Sequence, residues 1–566
     1  MSRKRRSRAI LLAWVLLPAL CAAVPSERAR AESGTVAAVH PLGTDAGIDA
    51  LRRGGNAVDA AVSAALMLGV VDGRNAGIGG GCFILIRRAD GTLVAIDGRE
   101  TAPAQATRDM YLRNGKPQSD LSLTGPLASG VPGALAAYDL AVRSYGRLPL
   151  RDLLVPAADT AERGFALQPA YAGALKHSAK TLMRFEGSRA ALLKPDGSPH
   201  EAGEVLKQPD LARTYRAVAE QGIDWFYRGP FARQVGQWMS VNGGLVTAGD
   251  FADYRPKMRE PVTTSYRQYT VVGFPPPSSG GVHVAQMLNV LEHFDMKALY
   301  EQDAALFYHV VAEAMKLAFA DRAHWLGDPD FAQVPRGLVD KSYAAKLAGR
   351  IKLDQVAAVP THGEPPRSEQ DHFGKHTTHV AAADAEGNWV AITATVNMGF
   401  GSKVIVPSTG VILNNEMDDF SAAPGAPNAF GLLGAEANAI APGKRPLSSM
   451  SPTVVLEEGK PILTLGAAGG PRIISQVLMT ILYHLDLGMD LPDALAAPRI
   501  HHQWQPDKLV AETSLDPAIV AALKKLGHEV KLTRSVGTGQ AIGVSGEEGG
   551  LIGVHDPRVQ GKAAGF

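Results

Sequence analysis

Apolar segments after residue 378 predict two neighbouring β-strands. A Thr-Thr-His step leads into an alternating run from Val380 to Ala383. A turn rich in Asp, Asn and Gly follows at residues 384–388, and a second β-rich run extends from Trp389 to Val396. Short runs of this kind, bounded by turn residues, are typical of paired strands. The pattern therefore predicts a strand, a Gly-containing loop and a strand.

Helical periodicity marks much of the first half of the chain. Asp45 to Arg53 is predicted to be a helix that stops at a Gly-Gly pair. Asn56 is a suitable N-cap for the next helix, in which apolar residues recur at helical spacing. From Thr124 to about Arg350 the pattern is mainly helical, with Gly and Pro residues between the segments.

The N-terminus has the pattern of a secretion signal. Ser2 to Arg8 is basic, and Ala9 to Val24 is an apolar run broken by Pro18. The run is shorter than the roughly 20 residues that a bilayer-spanning helix needs. Ala29-Arg30-Ala31 supplies a small-residue cleavage pattern, which predicts a signal peptide at residues 1–31 and export, to the periplasm in a bacterium. An uncleaved anchor is the alternative.

Composition narrows the class of protein only moderately. The 566 residues are 46% hydrophobic and 20% charged, as in ordinary globular proteins, and the length suggests two to four domains. A net charge of +1 gives no reason to expect nucleic acid as a partner. Loss of Cys21 with the signal would leave Cys82 alone, so no internal disulfide is expected in the mature chain.

Four polar or Gly-rich blocks follow the Thr-Thr-His step in a fixed order. They are Thr395-Val396-Asn397, residues 414–420, residues 446–453 and Gly469-Gly470. Together they resemble the small subunit of the γ-glutamyltransferases (glutathione hydrolases), which are N-terminal-nucleophile hydrolases. The resemblance extends over nearly the whole chain after residue 32. It implies a four-layer αββα sandwich, an α/β fold assembled from two chains that autocleavage produces.

The resemblance implies that the chain cuts itself between His376 and Thr377. The products would be a large chain, residues 32–376, and a small chain, residues 377–566, which stay together as a heterodimer. A Thr hydroxyl is a weak nucleophile without a neighbouring base. A free α-amine, with a reference pKa of about 7.7–8.0, can serve as that base only after the bond is cut. The precursor would therefore be a zymogen, with Thr377 as nucleophile and, through its α-amine, as base.

Matching positions also imply a substrate pocket. Thr395 would orient the nucleophile, and Asn397, Glu416 and Asp419 would hold the substrate's α-ammonium, which needs an acceptor for each N–H when buried. Outside this context the two acidic residues would be a solvated loop. The α-carboxylate would be bound by the residues with suitable donors, namely Arg99, Ser448 and Ser449.

A Gly-Gly step that leads into a helix supplies the expected oxyanion site. A strand at residues 462–465 is followed by Gly469 and Gly470, and Pro471 opens an apolar helix predicted over Arg472 to Leu485. Backbone N–H groups at such a turn can stabilise a developing negative charge. Gly470 also matches a residue that contacts the substrate.

Two further features are open to more than one interpretation. The glycine run from Gly77 to Gly81 precedes a strand and lacks a Walker Lys-Ser/Thr, so close backbone packing is favoured over a phosphate site. Phe430 stands where the bacterial relatives commonly carry a lid tyrosine. The missing hydroxyl would remove a hydrogen bond between the lid and Asn397.

His372 and His376 lack the spacing and further ligands of a metal site.

The implied activity is attack of Thr377 on the γ-amide of glutathione or another γ-glutamyl compound. A γ-glutamyl ester would form and pass to water or to an acceptor amino acid or peptide, without cofactor, metal or a stable membrane span in the mature protein. One alternative is a cephalosporin (glutaryl) acylase of the same family. A glutaryl group lacks the α-ammonium, so retention of Asn397, Glu416 and Asp419 argues against it. A second alternative is an unprocessed, non-catalytic secreted homologue.

Overall fold

The computed structural model describes residues 28–366, 378–423, 425–545 and 550–566. Its α-helices, in chain order, are α1 (Pro41–Arg52), α2 (Ala57–Val71), α3 (Ser119–Leu123), α4 (Ala134–Tyr145), α5 (Leu150–Arg163), α6 (Pro169–Leu182), α7 (Glu186–Leu192), α8 (Pro209–Gln221), α9 (Asp224–Tyr227), α10 (Pro230–Asn242), α11 (Ala248–Asp253), α12 (Gly280–Leu291), α13 (Met296–Gln302), α14 (Ala304–Trp325), α15 (Lys341–Ala348), α16 (Arg472–Ile481), α17 (Leu491–Ala496) and α18 (Pro517–Lys525).

The strands, in chain order, are β1 (Arg28–Ala31), β2 (Gly34–Ala38), β3 (Gly81–Arg87), β4 (Leu93–Gly98), β5 (Leu112–Arg113), β6 (Lys116–Pro117), β7 (Phe165–Ala166), β8 (Val205–Leu206), β9 (Lys257–Arg259), β10 (Val262–Tyr266), β11 (Tyr269–Gly273), β12 (His379–Asp384), β13 (Trp389–Thr395), β14 (Thr453–Glu457), β15 (Lys460–Ala468), β16 (Ile500–His501), β17 (Leu509–Glu512), β18 (Val530–Thr533), β19 (Thr538–Ser545), β20 (Gly550–His555) and β21 (Lys562–Gly565). Short 3₁₀ turns include Glu416–Asp419, and a π-helical turn, Leu482–Asp486, continues α16.

Two seven-stranded antiparallel sheets form the centre of the molecule. One has the order β21-β2-β12-β13-β3-β4-β9, and the other has the order β1-β20-β19-β15-β14-β11-β10. Each sheet contains strands from both sides of position 376, so the two predicted chains would share both sheets. The predicted strand pair after residue 378 is confirmed as β12 and β13, with His379 opposite Thr393.

Helices cover the outer face of each sheet, which gives four layers. One apolar cluster packs α1, α2 and α4 against the first sheet. Another packs α12, α14 and α16 against the second sheet. Side chains such as Phe83, Phe274 and Met450 fill the space between the sheets. The predicted αββα sandwich is therefore confirmed.

Local signals account for several of these elements. Asn56 caps α2, as predicted, because its side chain accepts from Val58 and Asp59 while Asp59 accepts from the Asn56 N–H. The predicted helix after Pro471 is present as α16 and the π-helical turn that follows it. Arg28 to Ala31, the end of the predicted signal segment, pairs with β20, so its removal would take this edge strand away. Along the described part of the chain, no helix combines the length and the apolar character needed to cross a bilayer.

Candidate active site

The site lies where strands β12 and β13 meet the glycine run, residues 77–81. His376 and Thr377, the predicted cleavage pair, lie outside the described residues, as does His372. Thr378 is buried, and its carbonyl accepts a hydrogen bond from Ala394, next to Thr395. The Thr378 hydroxyl has no hydrogen-bond partner among the described residues. The start of the small chain therefore lies beside the residue that is predicted to orient its nucleophile.

The glycine run packs directly against this strand. A Cβ atom on Gly79 would lie 2.1 Å from the carbonyl oxygen of Ile412, and one on Gly80 would lie 1.8 Å from that of Thr395. A Cβ on Gly81 would lie 2.2 Å from a carboxylate oxygen of Glu100. Real Cβ atoms do not approach other atoms this closely, so only glycine fits. The prediction of close backbone packing is confirmed.

Arg99, Glu416 and Asp419 form one buried charged cluster. Arg99 Nη2 donates to Asp419 Oδ2 at 2.6 Å, and Arg99 Nη1 donates to Glu416 Oε1. Arg99 and Glu416 are 0% exposed, and Asp419 is 3% exposed. Burial alone would lower the pKa of Arg99, but Glu416, Glu100 and Asp419 outweigh burial and raise it. The structure thus brings Arg99 to two acidic residues that lie more than 300 positions further along the sequence.

Glu100 joins this cluster and was missed by sequence reasoning. Its Oε2 lies 3.4 Å from Arg99 Nη1, and its Oε1 has no hydrogen-bond partner in the described part of the chain. Burial raises the pKa of Glu100 to about 7. Burial, and then the nearby Glu100, raise the pKa of Glu416. A charged pair directly after a buried strand was the available signal for Glu100.

Thr395 and Asn397 form a turn at the end of β13. The Thr395 hydroxyl accepts from the Asn397 N–H at 2.7 Å. Asn397 has a φ of 73°, in the left-handed region that Asn tolerates better than most residues. Its side-chain amide donates to the carbonyl of Asn415 at 3.0 Å. This contact ties the turn to the acidic segment that carries Glu416 and Asp419.

Ser448 and Ser449 present unpaired hydroxyls at the same site. Both residues are 0% exposed, and neither hydroxyl has a hydrogen-bond partner among the described residues. An unpartnered buried hydroxyl costs free energy unless a ligand satisfies it. The pair is therefore available to an oxygen-bearing group of a substrate.

A loop from the first half of the chain positions Ser448. Its N–H donates to the Pro277 carbonyl at 3.1 Å, and its own carbonyl accepts from the Ser279 hydroxyl at 2.7 Å. Arg322, which is buried in α14, donates from Nε to the Ser279 hydroxyl at 3.1 Å. The sequence analysis identified only Gly and Pro residues between helical segments in this part of the chain, so this positioning function was missed.

The glycine pair lies between β15 and α16. Gly469 and Gly470 have φ values of 138° and 62°, which favour glycine. Pro471 has helical dihedral angles and directly precedes α16, which begins at Arg472. A Cβ atom on Gly470 would lie 2.8 Å from the ring of Phe430. The Phe430 ring therefore covers Gly470, and a side chain at this position would not fit beneath it.

The Phe430 loop is held by hydrogen bonds at its base. Asp418 Oδ2 accepts from the Ala429 N–H at 3.0 Å, and Asn428 Oδ1 accepts from the Phe430 N–H at 3.0 Å. Gln503 donates to the Phe430 carbonyl at 3.2 Å. These bonds place the ring over Gly470. Beyond the ring lies a cavity of about 820 Å³ that borders Gly469.

Within residues 28–366, 378–423, 425–545 and 550–566, no three His, Cys, Asp or Glu side chains are grouped as a metal site requires. The site's charged groups are instead arranged around Arg99.

Comparisons with known proteins agree with this geometry. The family model described as gamma-glutamyltranspeptidase matches residues 43–566. The glutathione hydrolase proenzyme of Escherichia coli is 44% identical over 95% of this chain and 92% of its own length. The acylase ACY 1 proenzyme of Pseudomonas sp. (strain SE83) is 39% identical over 93% of this chain and 92% of its own length.

A solved structure shows the same fold over almost the entire length. The cephalosporin acylase from Bacillus halodurans superposes with a TM-score of 0.86 at 30% identity, and covers 98% of this chain and 99% of its own. The family match, the relatives named as proenzymes and the four-layer fold lead to one assignment. The chain belongs to the gamma-glutamyltranspeptidase family of self-processing enzymes.

Proposed function

We propose that this protein is a self-processing glutathione hydrolase that transfers γ-glutamyl groups from glutathione and related compounds to water, amino acids or peptides. One observation carries the proposal. A single buried site contains a guanidinium, three carboxyl groups and two hydroxyls that lack a hydrogen-bond partner among the described residues. These are the groups that the α-amino acid end of a γ-glutamyl substrate requires, because it carries one negative and one positive charge.

Substrate binding in this proposal exchanges the partners of Arg99. In the structure, Arg99 bonds to Glu416 and Asp419. An incoming α-ammonium would take over these two carboxylates. Arg99 would then turn its paired donors to the α-carboxylate, together with the Ser448 and Ser449 hydroxyls. Each buried charge keeps an opposite partner through the exchange, as burial requires.

The chemistry would proceed through an ester on Thr377. The Thr377 α-amine takes the hydroxyl proton as the oxygen attacks the γ-carbonyl carbon. Backbone N–H groups at Gly469 and Gly470 would stabilise the negative charge on the carbonyl oxygen. The amine leaving group departs with a proton, and water or an acceptor amine then opens the γ-glutamyl ester. The position of Thr395 beside Thr378 supports its assignment as the residue that orients the nucleophile.

The same threonine would also cut the precursor. Its hydroxyl would attack the His376 carbonyl carbon, and the peptide C–N bond would break as the ester forms, which frees the new α-amine. Water would then open the ester, releasing the His376 carboxylate and restoring the hydroxyl. The products are the large chain, which ends at residue 376, and the small chain, which begins at residue 377. They would remain together as a heterodimer because strands of both chains share each sheet. We further propose export to the periplasm through the signal segment, residues 1–31.

The glutaryl acylase alternative has support in the relatives that carry acylase names. The buried carboxylates weigh against it. A glutaryl group offers no cation, so Glu416 and Asp419 would keep Arg99, and the substrate carboxylate would lose its partner. The site therefore favours a γ-glutamyl substrate.

The proposal is tested by Thr377→Ala. The variant should stay as one uncut band in denaturing electrophoresis and fail to release p-nitroaniline from γ-glutamyl-p-nitroanilide. Thr378→Ala is the matched control, since the neighbouring hydroxyl has no partner among the described residues. It should still be cut, with Thr377 as the first residue of the small chain by N-terminal sequencing. Normal maturation of Thr377→Ala would disprove the nucleophile, and an uncut, inactive wild-type protein would instead indicate the non-catalytic homologue.

A further inference from the structure

The cavity beside the glycine pair is distinct from the charged pocket. It measures about 820 Å³ and borders Phe430, Gly469 and Pro471. Arg99, Glu416, Ser448 and Ser449 do not line it. Gly469 therefore borders an open cavity whose lining residues are separate from the buried charged cluster around Arg99. If the γ-glutamyl group occupies the charged pocket, the other half of the amide must extend into the cavity.

The cavity contains one arginine, Arg472, that forms no ion pair among the described residues; burial lowers its pKa, and the charge of Glu512 offsets this only in part. Arg74 lies 3.2 Å from Asp72, and Arg558 lies 2.6 Å from Glu512, so both are paired with carboxylates. Arg472 donates to the Ser535 carbonyl at 3.0 Å. Among the described residues, it has no carboxylate oxygen within 4.0 Å. An arginine in this position is suited to an anion that comes from outside the protein.

We infer that Arg472 binds the terminal carboxylate of the peptide portion beyond the γ-amide, both in the leaving group and in an acceptor peptide. This inference rests on the proposed function and names the specificity of its second subsite. Arg472 follows Gly470 by two positions, at the start of α16. A dipeptide spans about 7 Å when extended, so its carboxylate can lie in the cavity while its amide nitrogen stays at the glycine pair. The preferred ligand is therefore a short peptide with a free C-terminus.

The residues around Arg472 support a peptide rather than a larger anion. Gln168, Gln503 and Thr538 line the cavity and offer both donors and acceptors to peptide groups. Arg472 is the one lining cation without a carboxylate partner in the described part of the chain, so a single negative charge is matched. A phosphorylated or multiply charged ligand would need more free cations than these residues provide.

The test compares acceptors that differ only in their terminal charge. Transfer from γ-glutamyl-p-nitroanilide is measured with glycylglycine and with its C-terminal amide, for the wild-type protein and for Arg472→Gln. For the wild type, the KM for glycylglycine should be about 10- to 100-fold lower than the KM for its C-terminal amide, which is the range expected for a hydrogen-bonded charge. Arg472→Gln should raise the KM for glycylglycine by a similar factor and leave the KM for the amide unchanged. Arg472→Lys should restore part of the difference in KM between glycylglycine and its amide.

Two controls separate this inference from the proposed function. Hydrolysis of γ-glutamyl-p-nitroanilide does not involve a second carboxylate, so its absence from the wild type would overturn the proposed function instead. Arg534→Gln removes the same charge from an exposed position outside the cavity and should not change the preference. The inference is overturned if the wild type does not distinguish glycylglycine from its amide, a measurement that needs no variant to fold. It is equally overturned if Arg472→Gln raises the KM for glycylglycine and the KM for its amide by the same factor.

Discussion

Substitution of Gly80 by alanine tests whether close packing behind Thr395 positions the catalytic centre. The added Cβ would lie 1.8 Å from the Thr395 carbonyl oxygen and 2.8 Å from its carbonyl carbon. Ordinary contacts begin at 3.4 Å. The glycine run and β13 must therefore separate by about 1.6 Å, in an interior that has little free volume.

Both stability and activity should respond to that displacement. Overpacking of this kind typically costs about 1–3 kcal/mol in the free energy of unfolding. A shift of about 1 Å at a positioning residue can lower kcat/KM by roughly 100-fold. We therefore expect slow self-cleavage, a lower Tm and a kcat/KM for γ-glutamyl-p-nitroanilide reduced about 100-fold or more.

Gly173→Ala is the matched control for this experiment. Gly173 lies in α6, and a Cβ there would have no atom within 4 Å, apart from the helix's own backbone. Alanine is favoured over glycine in a helix by about 0.8–1.0 kcal/mol, so this variant should be as stable as the wild type or more so. The reasoning is refuted if Gly80→Ala matures and turns over within a factor of a few of Gly173→Ala.

Three further substitutions test the surroundings of the site. Ser279→Ala removes the hydroxyl between Arg322 and Ser448. This variant should lower the free energy of unfolding by about 1–3 kcal/mol and raise the KM for γ-glutamyl-p-nitroanilide. An unchanged KM would contradict the positioning function. Phe430→Tyr supplies a hydroxyl to the lid and should lower that KM by about 2- to 10-fold through one hydrogen bond, whereas a higher KM would exclude a closing effect. Asp418→Asn should flatten the dependence of Tm on pH between about 4 and 6.

The sign of the Asp418 effect follows from its burial. Burial raises the pKa of Asp418 from 3.8 to about 6, so the folded protein holds this proton more tightly than the unfolded chain. Its contribution to stability is therefore complete below pH 3.8 and is lost as the pH rises to about 6. The loss is about 3 kcal/mol at most, and asparagine should abolish it. A variant with the same Tm profile as the wild type would show that Asp418 does not titrate in this way.

The sequence predicted the residues that carry the chemistry better than the residues that position them. Short strand signals predicted β12 and β13, because apolar runs bounded by turn residues leave few alternatives. Glu416 and Asp419 were identified because two acidic residues stand close together in a recognisable block. Glu100 was missed because its burial depends on contacts with residues more than 300 positions away.

Long-range contacts also explain why the support of Ser448 was missed. The Ser279 hydroxyl reaches the Ser448 carbonyl across 169 positions of sequence. A Pro-rich segment before a helix predicts a turn, but it does not specify which distant backbone group the turn will contact. Arg322 was likewise not identified from the sequence, where it lies within one of the predicted helical segments. Pairing of β11 with β14 within one sheet, rather than any local pattern, brings the segments of Ser279 and Ser448 together.

The charge balance of the buried cluster predicts how strongly the site should select γ-glutamyl over glutaryl amides. These two acyl groups differ in the α-ammonium, which is the cation that would replace Arg99 at Glu416 and Asp419. Without it, the guanidinium cannot leave its carboxylates, and the ligand carboxylate would be buried without a counter-charge. Sites built to bond a polar group discriminate against ligands that lack it by about 10⁴- to 10⁵-fold in kcat/KM. We therefore expect a ratio of this order between γ-glutamyl-p-nitroanilide and glutaryl-p-nitroanilide, measured with the same enzyme preparation. Comparable rates for the two substrates would mean that the carboxylates are not ammonium ligands, and would favour the acylase function.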